Sequence, residues 1–447
     1  MKKSLICTAL IIFGLTSFSI AEEKVELLPE VKELITPKPL DPKLLENSYS
    51  VGLLGLLYPT DDYYEVAKQT VKTNYEILMD PKSSKPLRLM KDQLPEEQVM
   101  LAWSENTNQL HNDLLLCAEY MAPNCVAKTI QSRDNIKQLI KDNQKLLERY
   151  NDIVKNSDKY TDLFLLIDHV DFLYGKNFYG FTRLTLERVI LQLQKQQFNQ
   201  AIVDLQQVEK HLQLSLSDED NMSLLIHMLG LAYRSYLDLY LNAILDSSLL
   251  NNELNNSDVF ELFQPYPDKY RKSIIKSIEA EQNWGLNARI KDSNYTLSNE
   301  ALNQSYLFSQ RIIKFVKKNS FLDQKERLIK ECETLKAQYG EICNVFAIED
   351  YLARYDTQSN YHNMVYLKYL ILRDDIQDED IPEFLKAQGD IAIDPITQAP
   401  FQWNTETRVI SIPLPESKYL PSQIRMAVME NPDIKNLQVT IPKRDSK

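Results

Sequence analysis

Glycine is scarce in this chain, 9 of 447 residues, against the ~7% of ordinary proteins. Parallel sheets, phosphate-cradling loops and all-β barrels turn on glycine; long helices do without it. The shortage predicts an all-α fold. Other absences bear on function. No Gly-rich loop ends in GK[ST], no histidine stands in HExxH or a comparable metal spacing, and GxSxG is missing. Nucleotide, catalytic-metal and nucleophile-elbow serine chemistry therefore have no motif, and no cofactor is expected. The acidic run Asp374–Asp380 lacks the central glycine of a calcium loop. Basic residues are outnumbered, 51 Lys and Arg against 63 Asp and Glu, which disfavours nucleic acid and anionic lipid as partners.

Long apolar runs are also lacking, except at the start. Lys2 and Lys3 precede an apolar stretch from Leu5 to Phe18, then Ser19-Ile20-Ala21. A basic start, a short apolar core and small residues before a cut are the pattern of a secretory signal. Cleavage is expected after Ala21, giving a periplasmic protein; retention of this stretch as an inner-membrane anchor is the alternative. Losing Lys2 and Lys3 leaves 49 basic against 63 acidic residues, a net charge of −14. No second segment reaches the ~20 apolar residues of a spanning helix, so no membrane insertion is expected after cleavage.

Four cysteines follow the signal, in two close pairs: Cys117 with Cys125, and Cys332 with Cys343. In an exported chain this spacing reads as two local disulfides. Eight helical residues span ~12 Å and eleven ~16 Å, whereas a disulfide needs Cα atoms within ~7 Å. Each bridge therefore requires a chain reversal, and Pro123-Asn124 and Tyr339-Gly340 supply turn residues at the right places. Metal binding is the competing use, but neither pair has CxxC spacing or a nearby histidine, and no metal is expected.

The richest helical pattern is Phe181–Leu250. Leu186, Val189, Ile190 and Leu193 fall at i, i+3, i+4, i+7, and the spacing restarts after Gln194–Gln197 at Phe198, Ala201, Ile202 and Leu205. Phe198, Ala201, Leu205 and Val208 sit as in the second helix of a tetratricopeptide repeat, but no copy recurs at 34 residues, so one helical hairpin is expected rather than an array. Leu224–Leu250 is apolar on most faces, as a central helix is.

Four parts are expected: signal peptide 1–21, an extended Pro-rich leader 22–45, a multi-helix domain 46–376 of antiparallel hairpins, and a C-terminal element 377–447. Gly52 and Gly55 in the leader's neighbour, Val51–Leu57, suit close helix packing. The C-terminal element is expected to carry a small β-hairpin, with strands around Gly389–Trp403 and at Val409–Ile412, and a loose end from Ile441.

Several of these features occur together: Glu46-Asn47-Ser48-Tyr49 before Leu53-Leu54-Gly55-Leu56, a C-x7-C pair before Leu146-Leu147-Glu148-Arg149-Tyr150, Phe198-Asn199-Gln200-Ala201-Ile202, and Asp394-Pro395-Ile396-Thr397-Gln398-Ala399-Pro400-Phe401. In this order the chain resembles uncharacterised exported, mainly helical proteins of Gram-negative bacteria. Their tail more often reads DP[FY][ST]GxP[LF], so this chain departs at the turn glycine, where it has Gln398. The resemblance implies an exported helical fold and no activity.

Two functional expectations follow. The preferred one is a non-catalytic envelope protein that binds another protein or a peptide through a groove in the Phe181–Leu250 region, with Tyr233, Tyr236 and Tyr240 on one stripe as the candidate lining. The alternative is an envelope hydrolase acting on peptidoglycan, with Glu281, near Trp284, as the candidate acid. Oligomeric state is not readable from the chain.

Overall fold

A computed structural model describes residues 25–36, 40–56, 60–79, 117, 120–122, 124–158, 170–215, 224–267, 269–277, 298–318, 321–340, 346–417 and 420–443. The expected signal segment, Glu281 and Cys343 lie outside them. The protein is mainly helical with a small three-stranded antiparallel sheet at its C-terminal end.

The leader is not simply extended. Residues 25–28 are, but Pro29 then opens helix α1 (Pro29–Ile35), since proline suits a first helical turn. Helices α2 (Tyr49–Gly55) and α3 (Tyr63–Met79) follow. Ser48 caps α2, its side chain accepting from the Val51 N–H. Both α2 glycines stand at close approaches. A Cβ on Gly52 would meet Ile153 Cγ2 at 2.7 Å, and one on Gly55 would meet the Tyr63 carbonyl oxygen at 2.4 Å.

The stretch Cys125–Asn156 forms three helices: α4 (Cys125–Gln131), α5 (Arg133–Asp142) and α6 (Gln144–Asn156). The joints are Ser132 and Asn143, both with ψ near zero. The Asn143 side chain donates back to the Leu139 carbonyl at 2.9 Å, the competition with helix that short polar side chains offer. Helices α7 (Val170–Gln194) and α8 (Phe198–Ser215) form the expected hairpin, with Gln196 at φ +58° in the reversal. The long α9 (Leu224–Asp246) packs against both.

After α10 (Ser257–Phe263), a helical segment 269–277 leads toward α11 (Asn299–Lys317) and α12 (Phe321–Tyr339). Helix α13 (Phe346–Arg373) runs alongside α9 in the same direction: Asp238 meets Gln358 and His362, and further on Asp246 meets Lys368. The apolar interior forms two main clusters. The larger joins α2–α10, α13–α15 and the sheet. The smaller gathers Tyr270, Ile274, Phe308, Ile312, Leu328 and Leu335 around α11 and α12, and reaches α9 at Leu231 and α13 at Tyr355.

Beyond α14 (Ile381–Ala387), strands β1 (Gln402–Asn404) and β2 (Val409–Pro413) make the expected hairpin, but the first strand starts later than expected, Gly389–Ala392 being a 3-10 helix. Helix α15 (Ser422–Glu430) and a third strand, β3 (Asn436–Thr440), complete the element. The hairpin reading thus gains a strand, and its expected loose end begins too early: Ile441 is buried and its N–H donates to the Arg408 carbonyl at 2.8 Å. Arg408 ties the tail down. Its guanidinium donates to the Ile441 and Pro442 carbonyls and pairs with Asp378 of the acidic run. Ile410, Ile412, Leu437 and Val439 bury one face of the sheet in the larger core.

Candidate functional site

A cavity of about 600 Å³ opens where four elements meet: the Cys117–Cys125 turn with α4, the last turns of α9, α13 at Tyr361, and β3. Its position follows from local chain chemistry. The Cys117–Cys125 disulfide holds the two Cα atoms 4.9 Å apart, and the reversal between them uses left-handed backbone at Met121 and Asn124. Asparagine accepts that conformation more readily than most residues. The turn delivers Tyr120 onto the outer edge of β3. There its hydroxyl accepts from the Gln438 N–H at 2.7 Å and donates to the Gln438 carbonyl at 3.2 Å, so one phenol stands in for a neighbouring strand. Burial pushes that phenol up, so it stays protonated.

The wall formed by α9 carries the charge. Asp246 is half-exposed, and Lys368 of α13, wholly buried, donates to its Oδ1 at 2.6 Å and to Asn242 Oδ1 at 2.8 Å. Burial is the main cause that brings the Lys368 ammonium down to about 8, against the opposing pull of Asp246. Val126, Ile130, Leu239 and Leu249 give apolar surface; Asn124, Ser247 and Thr440 add polar groups. The size and the mix of apolar walls with a few converging polar groups are those of a small-ligand site.

Two other polar clusters are closed. Asp238 is buried on α9, and its four contacts use both oxygens. Oδ1 takes Arg234 at 3.2 Å and His362 at 2.9 Å; Oδ2 takes Tyr266 at 2.7 Å and Gln358 at 2.6 Å. Glu187 of α7 accepts from Thr129 at 2.6 Å and from the Tyr240 hydroxyl. Burial pushes its carboxyl up to about 7, despite both hydroxyl donors. These groups are spent on one another and present no face to a ligand.

The predicted site residues fare differently. Tyr236 and Tyr240 do not line an open groove: both are buried, Tyr236 on Arg183 and Tyr240 on Glu187. The stripe they share faces the core because α9 is enclosed by α7, α8 and α13. The Tyr233 side chain lies outside the described residues, as do Glu281 and Cys343. Cys332 is disulfide-bonded. The sequence reading placed a groove in Phe181–Leu250; the cavity touches that stretch only at its end, from Leu239 to Leu249. Lys368 and Tyr120 were missed, since each acquires its role from residues more than 100 positions away.

Among the described residues no group of three or more His, Cys, Asp or Glu could hold a metal ion, and no helix is long and apolar enough to cross a membrane. The chain matches no protein-family model, no curated protein and no solved structure.

Proposed function

We propose that this protein is a non-catalytic, exported binding protein, and that its ligand is a short peptide held in the cavity beside the Cys117–Cys125 turn. The cavity itself carries the reading: about 600 Å³ suits a few residues of peptide, with aliphatic walls for side chains and an Asp, two Asn and a Thr for backbone groups. Among its described lining residues the one ionic group is Asp246, already compensated by Lys368, which suits holding a ligand better than acid or base catalysis. The local disulfide and the signal-like N-terminus support an oxidising compartment, the periplasm.

The test is a thermal-shift and calorimetric screen of the purified protein against di- to tetrapeptides, repeated on Ala243→Trp, which places a large ring in the cavity. Peptides that stabilise the wild type and lose their effect in the variant support the proposal. A peptide that binds both equally, or a full screen without a binder, contradicts it.

A further inference from the structure

A second peptide-holding surface, sharing no residue with the cavity lining, lies on α11. Asn299 and Asn303 stand one helical turn apart, at i and i+4, on the same face. Asn303 is buried, and its carboxamide makes both bonds that a neighbouring strand would make. Oδ1 accepts the Leu28 N–H at 2.9 Å, and Nδ2 donates to the Glu26 carbonyl at 2.8 Å. Asn299 Nδ2 donates to the Val25 carbonyl at 2.8 Å. All three bonds go to backbone atoms of an extended segment, so they read the presence of a peptide and not its sequence. Side chains add the selection. Val31 and Leu302 are buried together, with Leu27, Leu28 and Tyr306 around them.

Three observations separate this contact from ordinary core packing. The Val31–Leu302 cluster is distinct from both main cores, so parting it does not open them. The segment it holds is partly open to solvent, Val25 being 43% exposed. The helix face also continues past the leader: Leu307, at i+4 from Asn303, is 43% exposed.

We infer that the Asn299–Asn303 face of α11 is a docking surface for an extended segment of a partner protein, one that carries adjacent aliphatic residues followed three positions later by a β-branched one, and that residues 25–31 occupy it in cis until such a segment displaces them. The chemistry asked of the partner is what the leader displays: a carbonyl, an N–H two residues on, and aliphatic side chains at the Leu27, Leu28 and Val31 positions. The cis segment competes at the high effective concentration of a tethered ligand, so the full chain holds partners weakly unless the leader is loosened.

The probe is a fluorescent peptide copying residues 24–36, titrated into full-length protein. In the double variant Leu28→Asp/Val31→Asp, which alters the leader and leaves α11 intact, peptide uptake is expected to tighten by about tenfold or more over wild type. Adding Asn303→Ala to that variant is expected to abolish the gain, with an unchanged circular-dichroism melt. Hydrogen exchange over residues 25–35 reads leader release independently. A leader that exchanges freely without peptide uptake overturns the inference, and so does a leader that stays protected in the double variant. Uptake indifferent to Asn303→Ala overturns it too. Concentration-dependent dimerisation without uptake overturns it in favour of leader exchange between two copies.

Discussion

Lys368 and Asp246 form an ion pair with one partner sealed in the protein and the other on the cavity wall: the ammonium is wholly buried, the carboxylate 44% exposed, and their atoms are 2.6 Å apart. The lysine bears the desolvation and the aspartate keeps its water, an asymmetry that makes the lysine costly to the fold. Lys368→Met removes the desolvated ammonium and leaves an aspartate that is still solvated, so it is expected to raise stability at pH 7. The pH dependence has a definite sign. The folded-state ammonium titrates near 8, below its ordinary 10.5. Between those values the unfolded chain still holds a proton that the folded chain has released, so wild-type stability rises with pH there. The variant's advantage shrinks across pH 8 to 10.5, and urea melts at several pH values check it.

Glu187 gives the opposite trend. Its carboxyl titrates near 7 in the fold against an ordinary 4.5. In that window the folded chain retains a proton that the unfolded chain has lost, so its contribution to stability falls as pH rises. Glu187→Gln keeps an acceptor and a donor for the Thr129 and Tyr240 hydroxyls. The variant is expected to gain on wild type by about 2–3 kcal/mol between pH 5 and pH 8. A pH-independent difference would contradict the assignment.

The two α2 glycines are expected to differ. An added methyl at Gly55 meets backbone, the Tyr63 carbonyl, while at Gly52 it meets a side chain, Ile153. A side chain yields more readily than a main chain. Gly55→Ala is expected to cost about 3 kcal/mol and Gly52→Ala about 1 kcal/mol. Chemical denaturation of the two variants checks the order.

Cys117→Ser/Cys125→Ser removes a bridge of eight residues' separation, which the chain-entropy model values at about 2.5 kcal/mol. Because the bridge anchors Tyr120 against β3, the double variant is also expected to lose peptide affinity. Retained affinity in a folded double variant would show that the turn does not shape the cavity.

How much was legible before the fold was known depends on the range over which each signal acts. The α7–α8 hairpin was written in local spacing, with its break at Gln194–Gln197. The Cys117–Cys125 bridge was equally local. So was the departure at Gln398, where the resemblance led us to expect a turn glycine: the structure places Gln398 at φ +59°, the backbone that glycine accepts without strain. The third strand is local as well: Leu437, Val439 and Ile441 alternate with polar residues, the period of a half-buried strand, and all three are buried. What could not be read was long-range. Tyr236 and Tyr240 look the same on a helix wheel whether they face a groove or a core; only the helices around α9 decide. The Asn303 clamp joins residues 275 and 277 positions apart, and no local pattern announces it.

The most direct test of the central claim is native mass spectrometry of the protein isolated from the cells that make it, alongside Ala243→Trp prepared in the same way. The account predicts a bound species of a few hundred daltons on the wild type, peptidic on fragmentation and absent from the variant. Wild-type protein that carries nothing and takes up no peptide when one is added, or a bound species that Ala243→Trp retains in full, would contradict it.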